Sequence, residues 1–160
     1  MSTTQIIAEP GIPQVLVERE FDAPRELIFR ASTDPQLLAQ WLGPRGLTME
    51  VDHFDIRDGG TWRYVHVDPA GNRHGFHGVF HGDPSTDGIV QTFEYEGAPG
   101  HVSLQSVTFE ERDGRTRVRS NAVFQTLEAR DGMVASGMEY GINEGYERLD
   151  ELIARLAPVG

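Results

Sequence analysis

Cysteine is missing from this sequence of 160 residues, and so is lysine, since all 14 basic residues are arginine. Without a thiol there is no disulfide framework, no cysteine nucleophile, no iron–sulfur cluster and no thiolate zinc site. The lack of lysine reads as the codon bias of a GC-rich genome and carries no mechanism. Positive charge is scarce as a whole: 25 acidic residues against those 14 arginines give a formal net charge of -11. Such a chain repels phosphate backbones and anionic lipid, so nucleic acid is excluded as a partner. Long apolar runs are missing too. No window reaches ~18 uninterrupted apolar residues, and the first 14 residues show no basic stretch followed by an apolar one. Neither membrane insertion nor a secretory signal is expected, and the expected location is cytoplasmic. No Gly-rich loop leads from a strand into a helix as a phosphate cradle requires, and no serine sits in a nucleophile elbow.

What is present suits one globular domain. With 38% hydrophobic residues the chain can bury one core, and its length fits the usual ~150 residues of a single domain. Residues 1–13, with Pro10, Gly11 and Pro13, read as a flexible leader or an irregular edge extension, and 14–160 as the domain. Val15 to Phe21 alternates and predicts a first strand. Pro24 at a first helical position, with Asp22 as its cap, opens a short helix carrying Leu27, Ile28 and Ala31. A second helix opens at Asp34-Pro35, carries Leu37, Leu38 and Trp41, and is stopped by Gly43-Pro44. Six more strands are expected over 47–57, 60–67, 74–82, 88–96, 102–111 and 115–125, joined by tight turns such as Asp58-Gly59-Gly60 and Asp113-Gly114, which imply an antiparallel meander.

From Asp131 to Leu156 the period predicts one long helix of roughly 40 Å. Val134, Met138, Ile142, Leu149, Leu152, Ile153 and Leu156 gather on one arc of it. Gly137, Gly141 and Gly145 recur every fourth residue on that helix, each at a cost of ~1 kcal/mol relative to alanine. Two explanations stand open: close packing against the sheet, or space hollowed beside the helix for a ligand. The expected class is therefore α+β, a curved antiparallel sheet of about seven strands with two short helices after the first strand and a long C-terminal helix over an internal cavity.

Strand parity puts Trp62, Tyr64 and His66 on one face, and Phe76, Gly78 and Phe80 on the matching face of the next strand. These rows are the candidate cavity wall, with Trp41 placed to close one end. Phe93, Met138, Gly141 and Ile142 complete the candidate ligand-binding set. His66 is the one histidine that parity places in the aromatic row, and with Tyr64 it is the candidate proton-transfer pair if the chain is an enzyme. The orientation of Glu94 stays open. No metal is expected: His77 and His81 share a face but stand about 13 Å apart, and a pair such as His66 and His74 lacks further ligands. No cofactor is expected either. Val65, Val67 and Val79 lie opposite the cavity rows, and apolar surface there predicts a homodimer.

Several segments carry a resemblance to a known family. The runs Val17-Glu18-Arg19-Glu20-Phe21-Asp22-Ala23-Pro24, Trp41-Leu42-Gly43-Pro44 and Gly59-Gly60-Thr61-Trp62-Arg63-Tyr64 resemble the SRPBCC superfamily (START/Bet v 1-like). Together with Ile89 to Gly97, Val107 to Glu111, Arg130 to Met133 and Ser136 to Glu139, they are similar to the activator of Hsp90 ATPase homologue-like family over nearly the whole chain after residue 14. The resemblance implies the helix-grip fold. It admits three functions: a binder of a small lipophilic molecule, a polyketide cyclase or aromatase working in the same cavity through His66 and Tyr64, and a co-chaperone-like interaction module.

Overall fold

The alternation over 14–21 becomes a strand in the computed structural model, which describes residues 3–156. Strand β1 is Gln5–Ile7 and β2 is Gln14–Phe21; helices α1 (Arg25–Thr33) and α2 (Pro35–Leu38) follow. Strands β3 (Thr48–Phe54), β4 (Thr61–Val67), β5 (Arg73–Val79), β6 (Gly88–Tyr95), β7 (Val102–Arg112) and β8 (Arg115–Phe124) make the meander, and α3 (Leu127–Ala135) and α4 (Met138–Leu156) end the chain. All eight strands form one open sheet in the order β1-β2-β8-β7-β6-β5-β4-β3, antiparallel throughout. This is the expected helix-grip architecture, with one strand more than the pattern suggested.

The extra strand comes from the segment expected to be a flexible leader. Ile6 pairs with Val17 and Ile7 with Leu16, and the buried Arg130 of α3 donates to the carbonyls of Glu9 (2.9 Å) and Gln14 (3.2 Å). Three residues are too few for a periodicity to show; pairing with β2 holds them, and Arg130 ties down the segment that follows. Residues 1–2 of that leader and 157–160 of the domain lie outside the described residues.

The long C-terminal helix is present as α4, but the span 131–156 expected as one helix is divided between α3 and α4. Thr126, ahead of the predicted start, caps α3 by accepting from the Ala129 amide at 3.0 Å. Gly137 then takes a φ of +93°, a conformation open to glycine at little cost, and ends α3 before α4 begins. Gly137 is thus the break between helices and no notch along one. Val134, assigned to the buried arc, is 39% exposed. At the N-terminus of α1 the Asp22 cap is also absent, since Pro24 occupies the cap position with no side-chain bond, whereas Asp34 does cap α2 through the Gln36 amide at 3.0 Å.

The interior is solid at one end and open at the other. Leu149, Leu152 and Ile153 from the C-terminal half of α4 pack with Ile28 and Ala31 of α1, Leu38 of α2 and Phe21 of β2. Arg19, also on the inner row of β2, stacks 4.6 Å from the Phe21 ring and makes a two-pronged ion pair with Asp150 at 2.9 and 2.6 Å, tying α4 to the sheet. The first half of α4 belongs to a second cluster, in which Met133, Met138, Ile142 and Tyr146 face Val15, Val17 and Phe124. On the outer face Val65, expected among exposed apolar residues, is buried, and the exposed large apolar side chains of the strands are Ile7, Val90, Leu104 and Val123, the last two cross-strand neighbours. Among the described residues no helix is long and apolar enough to cross a membrane.

Candidate ligand-binding cavity

A cavity of about 430 Å³ lies between α4, α1, α2 and the inner face of β2 to β8. That volume suits a small organic molecule. Nine of the ten residues expected from sequence line it: Trp41, Trp62, Tyr64, His66, Phe76, Phe93, Met138, Gly141 and Ile142. Phe80 does not. It shares the parity of the row but is 1% exposed and is used up in packing, edge-on to Phe54 with ring centroids 5.5 Å apart.

The aromatic wall is one continuous stack. Tyr64 lies between Trp62 (5.3 Å, interplanar 17°) and His66 (5.2 Å), and Phe76 bridges Tyr64 at 5.4 Å to Phe93 at 5.4 Å. Gly78, placed by parity in the same row, is explained by close packing. A Cβ there would collide with the Thr92 carbonyl and stand 2.7 Å from the Trp62 ring, so the missing side chain makes room for Trp62 and for strand β6, and opens no ligand space. Trp41 is part of the lining. Its indole donates to the Ala31 carbonyl at 2.9 Å, which fixes it against α1.

The glycines of α4 divide between the two explanations. At Gly145 a Cβ would lie 3.2 Å from the Trp41 carbonyl and 3.3 Å from the Gly43 amide, so this glycine lets the helix approach the loop after α2. At Gly141 the sole close neighbour of such a Cβ is Pro44 Cδ at 3.7 Å, an ordinary contact. Gly141 therefore lines the cavity beside Pro44, and the expected approach to Trp62 and Phe80 is not found within 4 Å.

The polar groups of the wall carry no charge at neutral pH. Burial is the main influence on His66 and lowers its pKa to about 4, helped by the positive Arg148, while the Leu42 carbonyl acts the other way. The Tyr64 hydroxyl is pushed upward by burial alone. Sequence reasoning missed a polar band across the middle of the sheet: Gln91 and Gln105 pair across β6 and β7, amide to amide at 3.1 Å, and Ser103 and Ser120 line the cavity beside them. Strand parity was the available signal, since each alternates with outward residues. Glu94 is on the outer face, where its carboxylate is 3.4 Å from His77 and accepts from the Gly100 amide. His77 also meets Glu96 at 2.9 Å, and that carboxylate is held down to about 2 by Arg63 first and His77 second. His77 thus sits among surface carboxylates, and among the described residues no cluster of three metal-ligating side chains occurs.

Known proteins of this shape agree with that architecture. A crystal structure of a protein from Rhodobacter sphaeroides is 30% identical, with a TM-score of 0.87 over 96% of this chain and 99% of the other. A solution structure from Arthrobacter aurescens, 23% identical, reaches 0.87 over 96% and 92%. A crystal structure from Silicibacter pomeroyi, 23% identical, reaches 0.74 over 90% and 99%. At the identity of the last two, the likeness speaks to fold alone. No curated protein matches the chain. The family model described as "Activator of Hsp90 ATPase homolog 1-like protein" matches residues 22–154, from the turn before α1 almost to the end of α4, and the chain belongs to that family.

Proposed function

We propose that this chain binds a small apolar or aromatic molecule in the cavity between the sheet and α4. The observation that carries the reading is the wall itself: an aromatic stack on one side, Met138, Gly141 and Ile142 on the other, and a volume of about 430 Å³ between them. Transfer of an apolar molecule into such a wall is worth ~25 cal/mol per Å² of its surface removed from water. Binding is favoured over cyclase-type catalysis because His66, with a pKa of about 4, is a weak base near neutrality, and Tyr64, with its pKa raised, is a poor acid.

Thermal denaturation with biphenyl tests the reading. Ligand at 100 times its dissociation constant adds ~2.7 kcal/mol, which raises the midpoint of a domain of this size by roughly 5–10 °C. Gly141→Leu, which puts a branched side chain into the cavity, should fold and lose that shift. A panel of lipophilic aromatics that never raises the midpoint, or a Gly141→Leu protein that responds like the parent, refutes it.

A further inference from the structure

The outer face of the sheet carries a band without charge. Register puts Val90, Ser106, Asn121, Leu16 and Ile7 in one row across β6, β7, β8, β2 and β1. The adjoining row is Thr92, Leu104, Val123 and Gln14. None of these side chains is charged, in a chain whose residues are 24% charged. Half of the large apolar side chains that the described residues expose lie in these two rows: Ile7, Val90, Leu104 and Val123. Leu104 and Val123 stand directly opposite each other, 45% and 42% exposed. Exposed apolar residues scattered singly are ordinary, whereas a contiguous group rimmed by polar residues marks an interaction site.

Charge says what meets this face. On β2, β6, β7 and β8 the outward acids are Glu18, Glu20, Glu94 and Glu110, and the outward bases are Arg112, Arg115, Arg117 and Arg119. They cancel, so the chain's net charge of -11 lies on its other surfaces. Arg117 and Arg119 both reach Glu18 at 3.4 Å beyond one edge of the band, and Glu94 stands beyond the other. An uncharged centre inside a rim of both signs is the anatomy of a protein interface. A strongly charged partner gains nothing from a neutral face, whereas two copies of one acidic chain repel each other least where each is neutral. Five strands and four rows, the band with one charged row on each side, cover roughly 650 Å² per copy, and both copies together exceed the ~1,000 Å² that a specific interface needs. We infer that a second copy of this chain covers the band, the two sheets stacked face to face about 10 Å apart across a two-fold axis. Both cavities then lie away from the interface, because Ser103 and Gln105, on either side of Leu104 in the chain, point to the cavity.

Sedimentation velocity of the full chain from about 1 to 100 μM should show monomer giving way to dimer, since interfaces of this class span micromolar and tighter affinities. Leu104→Glu, which buries an unpaired carboxylate from each copy at the centre of the interface, should weaken association at least about tenfold. Leu127→Glu, at an apolar residue of similar exposure on α3, should leave association unchanged. If Leu104→Glu does not fold, a nitroxide on Leu104→Cys carries the test, as the sole thiol in a chain without cysteine. The two labels of a dimer should give a shorter dipolar distance from Leu104→Cys than from Val134→Cys on α3. A chain that stays monomeric over the whole range overturns the inference. So does a dimer indifferent to Leu104→Glu, or a Leu104 distance longer than that from Val134. None of these outcomes bears on ligand binding, which belongs to the other face of the sheet.

Discussion

Gly141 and Gly145 stand one turn apart on α4, and replacement of each by alanine should move stability in opposite directions. In a helix interior alanine is favoured over glycine by ~1 kcal/mol, and both variants gain that term. At Gly141 nothing opposes it: the new methyl would meet Pro44 Cδ at 3.7 Å, ordinary van der Waals contact. Gly141→Ala should therefore be more stable by up to about 1 kcal/mol, a rise of roughly 2–4 °C in Tm. At Gly145 the methyl would stand 3.2 Å from the Trp41 carbonyl and 3.3 Å from the Gly43 amide. Both are main-chain atoms that cannot rotate aside, in a segment held by the Trp41 indole bond to Ala31 and by Arg148 on the Gly43 carbonyl. Overpacking of a tight contact costs ~1–3 kcal/mol, which exceeds the propensity gain, so Gly145→Ala should lose on the order of 1 kcal/mol. Urea denaturation followed by tryptophan fluorescence measures both. A Gly145→Ala protein as stable as the parent, or a destabilised Gly141→Ala, would show that the contacts of α4 are not those described.

Acid should act through His66. Its folded pKa of about 4 lies below the reference 6.5, so below pH 6.5 the unfolded chain takes up the proton first. The stability tied to the neutral ring is complete above pH 6.5 and is lost as the pH falls toward 4, by up to about 3 kcal/mol. The urea midpoint of the parent should fall further than that of His66→Leu as the pH drops across that range; parallel pH profiles would refute the assignment. Arg130→Gln should cost about 2–3 kcal/mol, because the carbonyls of Glu9 and Gln14 lose a buried donor. Hydrogen exchange in β1 should accelerate more than in β7, and uniform acceleration would contradict a tether that acts on the N-terminal segment.

The cavity wall was legible where a residue's direction follows from local geometry. Period two put Trp62, Tyr64 and His66 on one face, and the structure keeps them there with 6% exposure at Tyr64 and 7% at His66. The polar band of Gln91, Gln105, Ser103 and Ser120 obeys the same parity and was overlooked, because a polar residue in a half-buried strand is more often a solvated one. The Asp34 cap was readable for a similar local reason, the side chain bonding an amide two residues on.

Parity and period set which side of an element a residue faces, and so the sequence by itself determined the strands of the meander, the amphipathic α4 and nine of the ten expected wall residues. They say nothing of depth or of what comes to meet that side. Phe80 shares the direction of Phe76 but meets Phe54 instead of the cavity. Gly137, Gly141 and Gly145 share a spacing and nothing else: the first turns the chain at a φ of +93°, the second borders open space, and the third admits the main chain of Trp41 and Gly43. The three residues of β1 became a strand by pairing with β2, next to an anchor at Arg130. The outcomes at Phe80, at Gly145 and at the Arg130 anchor depend on partners distant in the chain, and only the tertiary structure supplies those partners.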